Sequence, residues 1–271
     1  MPVYQQIIFK PIDQELSSIL IALLSEEGFD GFEEAENSLS AFIPADKMDE
    51  SCLQEIASRF SLEYQSAQIA ETNWNALWES GFDPVIVDNF LAIRAHFHTH
   101  VKGVEHEIII TPKMSFGTGH HATTYLMVQA MREIDFIGKT VLDFGTGTGI
   151  LAILAEKLGA LKVLAIDYDD WSIDNSRENI QRNQSVKIDL LQGDTARAAG
   201  IFDIVLANIN RQVIIDNIPY LKEILHPGGL LLLSGLLLED EQVIRDQADL
   251  HGLVFTSKSA RNGWISLQFY C

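Results

Sequence analysis

Residues 143–149 read Asp-Phe-Gly-Thr-Gly-Thr-Gly. Glycines at alternate positions, Gly145, Gly147 and Gly149, allow a tight turn and let a ligand reach the backbone without meeting a Cβ. A dinucleotide site would want its last glycine one residue later, to seat a pyrophosphate on a helix N-terminus. That position is Ile150. Asp167 lies 22 residues beyond Gly145 and ends the run Val163-Leu164-Ala165-Ile166. Its two oxygens can accept from a ribose diol, or it can simply cap the helix that follows. Asp194, in Gln192-Gly193-Asp194, can accept from an adenine amino group or serve only as a turn residue. Asn208 stands in Ala207-Asn208-Ile209-Asn210 at the end of another apolar run. Its carbonyls can accept from the N–H groups of an amine and so aim the nitrogen lone pair. It too can instead be a helix cap.

Other residues carry weaker signals. His96, His98 and His100 alternate along an expected strand, which would place three imidazoles on one face. They have no acidic or cysteine companion in sequence, so no metal is expected. Trp74 and Trp78, four apart, read as packing on a helix. Trp264, in the final strand, reads as core. The segment Met114-Ser115-Phe116-Gly117-Thr118-Gly119-His120-His121-Ala122-Thr123-Thr124 reads as a glycine loop entering a helix, with Thr123 or Thr124 as its cap.

These residues need elements to hold them. Residues 3–9 alternate toward a strand, and 13–27 have helical spacing with Leu16, Ile19, Leu20, Leu23 and Leu24 on one face. Strands follow at 29–34 and 39–43 around a turn at 36–38, then a helix at 49–60 and a strand at 62–69. The order βαββαβ is that of a ferredoxin-like unit. A polar, helix-like connector spans 71–82. Strands are expected at 85–87, 90–97 and 107–111, and a helix from Thr123 to Glu133. From there strand and helix alternate, with strands at 140–144, 161–166, 186–191, 202–207 and 229–234. Strands at 253–259 and 264–270, joined by a short turn at Asn262-Gly263, must pair antiparallel. The architecture is α/β: a Rossmann-like sheet with an antiparallel C-terminal hairpin, plus a small α+β unit. The expected division is 1–70, a linker helix at 71–82, and 83–271.

Composition excludes some classes. The formal net charge of −19 argues against direct nucleic-acid binding, because phosphates would be repelled. Residues 1–70 hold 13 acidic side chains against Lys10, Lys47 and Arg59, a net of −10. That surface either solubilises the protein or receives a basic partner. Cys52 and Cys271 give neither a disulfide framework nor metal spacing, which suits a reducing cytoplasm. The N-terminus has no signal-peptide pattern, and the apolar run 230–238 is too short to span a membrane.

The G-x-G-x-G spacing, with Asp143 two residues before the first glycine, resembles motif I of class I methyltransferases. The sheet layout with its closing hairpin is theirs as well. More specifically, Phe116-Gly117-Thr118-Gly119-His120-His121-Ala122-Thr123-Thr124 is similar to the F-G-T-G-x-H-x-T-T signature of the PrmA family. Those enzymes methylate the eleventh protein of the large ribosomal subunit. The similarity continues through VLDFGTGTGILAILAEKLGA, AIDYD with Asn175 and Asn179, Ala207-Asn208-Ile209 and LHPGGLLLLSGLL. The chain departs from the family pattern at Thr111-Pro112-Lys113, at Ala122 and at Asn210-Arg211.

The resemblance implies S-adenosylmethionine as cofactor, held at Thr124, Gly145, Asp167 and Asn208, with Gly147 and Gly149 completing the loop. Asp194 joins this set as the adenine acceptor. It implies Asn208 as the residue that orients the amine, a cytoplasmic setting, and residues 1–70 as the domain that recognises the basic ribosomal protein. Methylation is then of lysine ε-amino groups and the N-terminal α-amino group. Two other readings stay open: a methyltransferase of a small amine or glutamine amide, and a non-catalytic S-adenosylmethionine-binding assembly factor.

Overall fold

The computed structural model describes residues 3–35, 37–70, 83–112, 121–196 and 200–271. The connector with Trp74 and Trp78, and residues 113–120 of the glycine-histidine segment, lie outside them. The chain divides into two compact units, Met1–Gly81 and Phe82–Cys271, each with its own apolar core.

The first unit runs β1 (Val3–Phe9), α1 (Gln14–Glu26), β2 (Gly31–Ala35), β3 (Ser38–Pro44), α2 (Glu50–Arg59), β4 (Tyr64–Ala70). Its antiparallel sheet has the order β2-β3-β1-β4, the ferredoxin-like arrangement. Strand β3 buries Leu39, Ala41 and Ile43 at alternate positions, as a sheet with one covered face requires. Helix α1 lays Leu20 and Leu24 on that face. Both helices begin at aspartates. Asp13 accepts from the Leu16 N–H at 2.8 Å, and Asp49 from those of Ser51 and Cys52.

The second unit opens with a three-stranded sheet, β5 (Val85–Val87), β6 (Leu91–Ala95) and β7 (His106–Ile110), in that order. Next come α3 (Ala122–Arg132), β8 (Thr140–Phe144), α4 (Ile150–Lys157), β9 (Lys162–Asp167), α5 (Asp170–Arg182) and β10 (Ile188–Gln192). Then follow β11 (Phe202–Asn208), α6 (Arg211–Glu223), β12 (Leu225–Leu237), α7 (Glu241–Leu250), β13 (Val254–Arg261) and β14 (Trp264–Tyr270). The large sheet has the order β10-β9-β8-β11-β12-β14-β13. Its first five strands are parallel, and the last two are the antiparallel hairpin. The inner parallel strands, β8, β9 and β11, are mostly buried Val, Ile, Leu and Ala because both faces are covered, whereas the edge strand β10 leaves Leu191 exposed.

Strand order reverses between β8 and β11. Open α/β sheets bind ligands at such a switch point, beyond the carboxyl ends of the strands. Gly145 follows β8 directly, Asp167 ends β9 and Asn208 ends β11.

Some expectations need correction. Strand β12 begins at Leu225 rather than 229. His226-Pro227-Gly228-Gly229 reads as a turn, yet Phe202 pairs with Leu225, and a register shift next to it absorbs the glycines. Strand β6 stops at Ala95, so His96, His98 and His100 do not share a strand face. The chain turns there: the His98 N–H bonds the Ala95 carbonyl at 3.1 Å, and the Ala95 N–H bonds His98 Nδ1 at 3.2 Å. His100 Nδ1 instead lies 3.0 Å from Glu107 Oε1. Trp264 is only half-buried and meets His121 edge-on, with ring centroids 4.5 Å apart. Among the described residues no helix is long and apolar enough to cross a membrane.

Candidate active site

The glycine loop is built from backbone inward. The N–H groups of Gly145 and Thr146 both donate to the Ile166 carbonyl, at 2.8 and 2.9 Å, which ties the loop to the neighbouring strand β9. Gly145, Gly147 and Gly149 all have positive φ, +75°, +57° and +80°, a region L side chains rarely adopt. At Gly145 space is closed as well. A Cβ there would run into the Ile209 side chain, so β11 and the loop fit together only with glycine. Gly149 is the left-handed N-cap of α4.

Beneath the loop lies Asp143, fully buried in β8. Its Oδ2 accepts from the Thr146 hydroxyl at 2.6 Å and from the Ala152 N–H at 3.1 Å, while Oδ1 has no partner. Burial raises its pKa to about 7 against the help of those two donors, and the nearby Asp167 charge adds to the rise.

Asp167 is 7% exposed. Its Oδ2 accepts from the Gly147 N–H at 2.8 Å and Oδ1 from the Asp169 N–H at 3.1 Å. Each carboxylate oxygen keeps a free lone pair. The cap of α5 is Asp169, which accepts from the Ser172 N–H at 2.8 Å. Asp167 is therefore not that cap.

Asn208 follows the same pattern. Helix α6 is capped by Asn210, which accepts from the Val213 N–H at 3.0 Å. This releases Asn208 from capping. Its Oδ1 is buried and unpartnered, a costly state for an acceptor unless a ligand donates to it. The following Ile209 is gripped on two sides. Its side chain lies over Gly145, and its backbone carbonyl packs against Gly235, where any Cβ would collide with it.

Two further predicted residues are Thr124 and Asp194. Thr124 is buried in the first turn of α3, whose cap is His121 rather than either threonine. Asp194 lies exposed after β10. Among the described residues no group of three or more His, Cys, Asp or Glu could hold a metal ion.

The sequence profile of the family "Ribosomal protein L11 methyltransferase (PrmA)" matches residues 21–270. The chain belongs to this family. A ribosomal protein L11 methyltransferase from Porphyromonas gingivalis is 41% identical over 93% of this chain and 89% of its own. Another from Phocaeicola vulgatus is 37% identical over 96% and 95%. Among solved structures, a ribosomal protein L11 methylase from Lactobacillus delbrueckii subsp. bulgaricus superposes with a TM-score of 0.64 and 31% identity. It covers 69% of this chain and 97% of its own.

The cofactor of the family is S-adenosylmethionine, and the residues present fit it. A loop with glycine at alternate positions, a buried carboxylate with spare lone pairs and an orphaned carbonyl suit a ligand with a ribose and no phosphate. Sequence reasoning passed over Thr146, Ser176 and Asn183, and it took Asn179 only from the family resemblance. The signal for the asparagines was their spacing. Asn175, Asn179 and Asn183 recur every four residues, one face of α5.

Proposed function

We propose that the protein methylates ribosomal protein L11 from S-adenosylmethionine, at lysine ε-amino groups and the N-terminal α-amino group. The observation that carries this is the buried, unpartnered Asn208 Oδ1 at the sheet's switch point, two strands from Asp167. When bound, the cofactor supplies an electrophilic methyl group on a sulfonium. The chain's residues do the rest. Gly145, Gly147 and Gly149 admit the cofactor to the backbone, Thr124 is a further contact, and Asp194 accepts from the adenine amino group. Asp167 accepts from the ribose hydroxyls. Asn208 accepts an N–H of the incoming amine and turns its lone pair toward the methyl carbon.

The amine must arrive without its extra proton, since an ammonium has no lone pair. Leaving water for this cleft lowers an amine's pKa, and the proton passes to solvent. Alignment supplies most of the acceleration. Residues 1–70, with a net charge of −10, recruit the basic substrate. Residues 83–271 form the methyltransferase domain, and the expected linker at 71–82 lies outside the described residues. Free Cys52 and Cys271 support action in the cytoplasm.

Mass spectrometry of ribosomal protein L11 after incubation with the enzyme and S-adenosylmethionine tests the reading. Methyl additions on amines are expected. Asn208→Ala should lower turnover by at least about tenfold, the cost of a lost orienting contact, and should lower cofactor affinity by less. Methylation of free small amines or glutamine amides, with L11 untouched, would overturn it. So would cofactor binding with no transfer to L11 at all.

A further inference from the structure

Helix α5 holds two carbonyls of the glycine loop. The Ser176 hydroxyl donates to the Gly147 carbonyl at 2.6 Å, and Asn179 Nδ2 donates to the Thr148 carbonyl at 2.8 Å. Both side chains are fully buried. Asn179 is bonded at its other end as well. Its Oδ1 accepts from the Thr111 N–H at 2.8 Å, just past the end of β7. The amide's orientation is not arbitrary. The Thr111 N–H can only donate and the Thr148 carbonyl can only accept, so Oδ1 must face Thr111 and Nδ2 must face Thr148, with Asn175 Oδ1 a second acceptor for Nδ2 at 3.3 Å.

One turn further along α5, Asn183 does related work without touching the loop. Its Oδ1 accepts from the Ile109 N–H at 3.0 Å, and its Nδ2 donates to the Ile109 carbonyl at 2.7 Å. Strand β7 is an edge strand of its small sheet. The two carboxamides therefore serve residues 109 and 111 of that edge, in place of a neighbouring strand. Only Asn179 carries the contact onward to the glycine loop. Thr111 and Pro112 are the last described residues before the segment Met114–Thr124 that bears the family signature.

We propose that Asn179 is a positioning residue that joins the glycine loop to the entry of the signature segment, so that cofactor binding at the loop and order at Thr111 are coupled. This rests on the glycine loop being the S-adenosylmethionine site. The coupling is physical. One rigid, planar amide fixes both backbones, and a loop held by the cofactor holds the amide in turn. Thermodynamic linkage makes the effect reciprocal. Asn179 touches no reacting atom.

Two variants separate positioning from stability. Asn179→Asp keeps the acceptor for Thr111 but sets a carboxylate oxygen against the Thr148 carbonyl. Asn183→Asp creates the same conflict against the Ile109 carbonyl, on the same strand edge, and against the Asn179 backbone carbonyl, but leaves the Asn179 carboxamide and its contact with the loop in place. Calorimetric titration with S-adenosylhomocysteine, well below the melting temperature, should show about fivefold or greater loss for Asn179→Asp and less than about twofold for Asn183→Asp. Equal affinity in the two variants overturns the proposal.

A second measurement needs no variant and stands whether or not Asn179→Asp folds. In the wild-type protein, S-adenosylhomocysteine should slow hydrogen exchange at the Thr111 amide. An unchanged rate at Thr111 overturns the coupling, while failure of the wild-type protein to bind S-adenosylhomocysteine overturns the cofactor reading beneath it.

Discussion

Asp143 should make the protein less stable as pH rises from about 4 to about 7, and Asp143→Asn should remove that dependence. The carboxyl is fully buried, has two donors on Oδ2 and none on Oδ1, and has a pKa of about 7 in the folded protein. In the unfolded chain it titrates near 3.8. Between these values the folded state keeps a proton that the unfolded state has lost, so raising the pH favours unfolding. The stabilisation is complete below about pH 3.8 and gone above about pH 7. A difference of roughly three units at about 1.4 kcal/mol each gives a loss of about 4 kcal/mol between about pH 4 and pH 8. An asparagine can place its oxygen where Oδ2 is, keeping the bonds from Thr146 and Ala152, and its amino group where Oδ1 is unpartnered. It does not titrate. Urea unfolding across this range, followed by tryptophan fluorescence, measures the difference directly. Residues 1–70 contain no tryptophan, so the signal reports on the remainder of the chain. The other titrating groups are common to both proteins and cancel in the comparison. Parallel pH profiles for wild type and Asp143→Asn would refute the reasoning.

Further outcomes are expected. Asp167→Ala should weaken S-adenosylhomocysteine binding by about tenfold or more, because a charge-assisted contact is worth about 1.5–3 kcal/mol; calorimetry giving wild-type affinity would place the ribose contact elsewhere. Gly145→Ala should cost about 1–3 kcal/mol from collision with Ile209 and about 1 kcal/mol from its positive φ. Adding Ile209→Ala should recover the first part and not the second, as read from melting curves. A protein lacking residues 1–81 should keep S-adenosylhomocysteine affinity within about twofold yet lose methylation of ribosomal protein L11, since the acidic surface that steers the substrate is gone. Methylation by the whole protein should slow with added salt, which screens exposed charge beyond about 8 Å at physiological ionic strength. Undiminished L11 methylation by the truncated protein would remove the recruiting role.

Much of the fold was legible because its signals are local. Buried parallel strands read as short apolar runs, and glycines at 145, 147 and 149 announce a backbone with positive φ. The hairpin turn Asn262-Gly263 requires antiparallel neighbours. Where local chemistry pointed two ways, the sequence could not choose. Asp167 and Asp169, like Asn208 and Asn210, are the same residue types two positions apart at a strand–helix junction. Either member of each pair could cap the helix. The fold gave the capping role to Asp169 and Asn210, bound Asp167 to the glycine loop and left Asn208 Oδ1 without a partner.

The alternation of His96, His98 and His100 suggested one strand face, but the chain turns after Ala95 because the imidazole of His98 takes the Ala95 N–H. The sequence by itself determined the family, the glycine loop and the succession of strands and helices along the chain, since these follow from residue type and near-neighbour spacing. Only the tertiary structure decided that Asp143 is buried without a partner for Oδ1, that Ile209 closes over Gly145, and that Asn179 joins Thr111 to Thr148. Those relations link residues 31 to 68 positions apart or depend on solvent exclusion. Neither distance in space nor loss of water is written in local spacing.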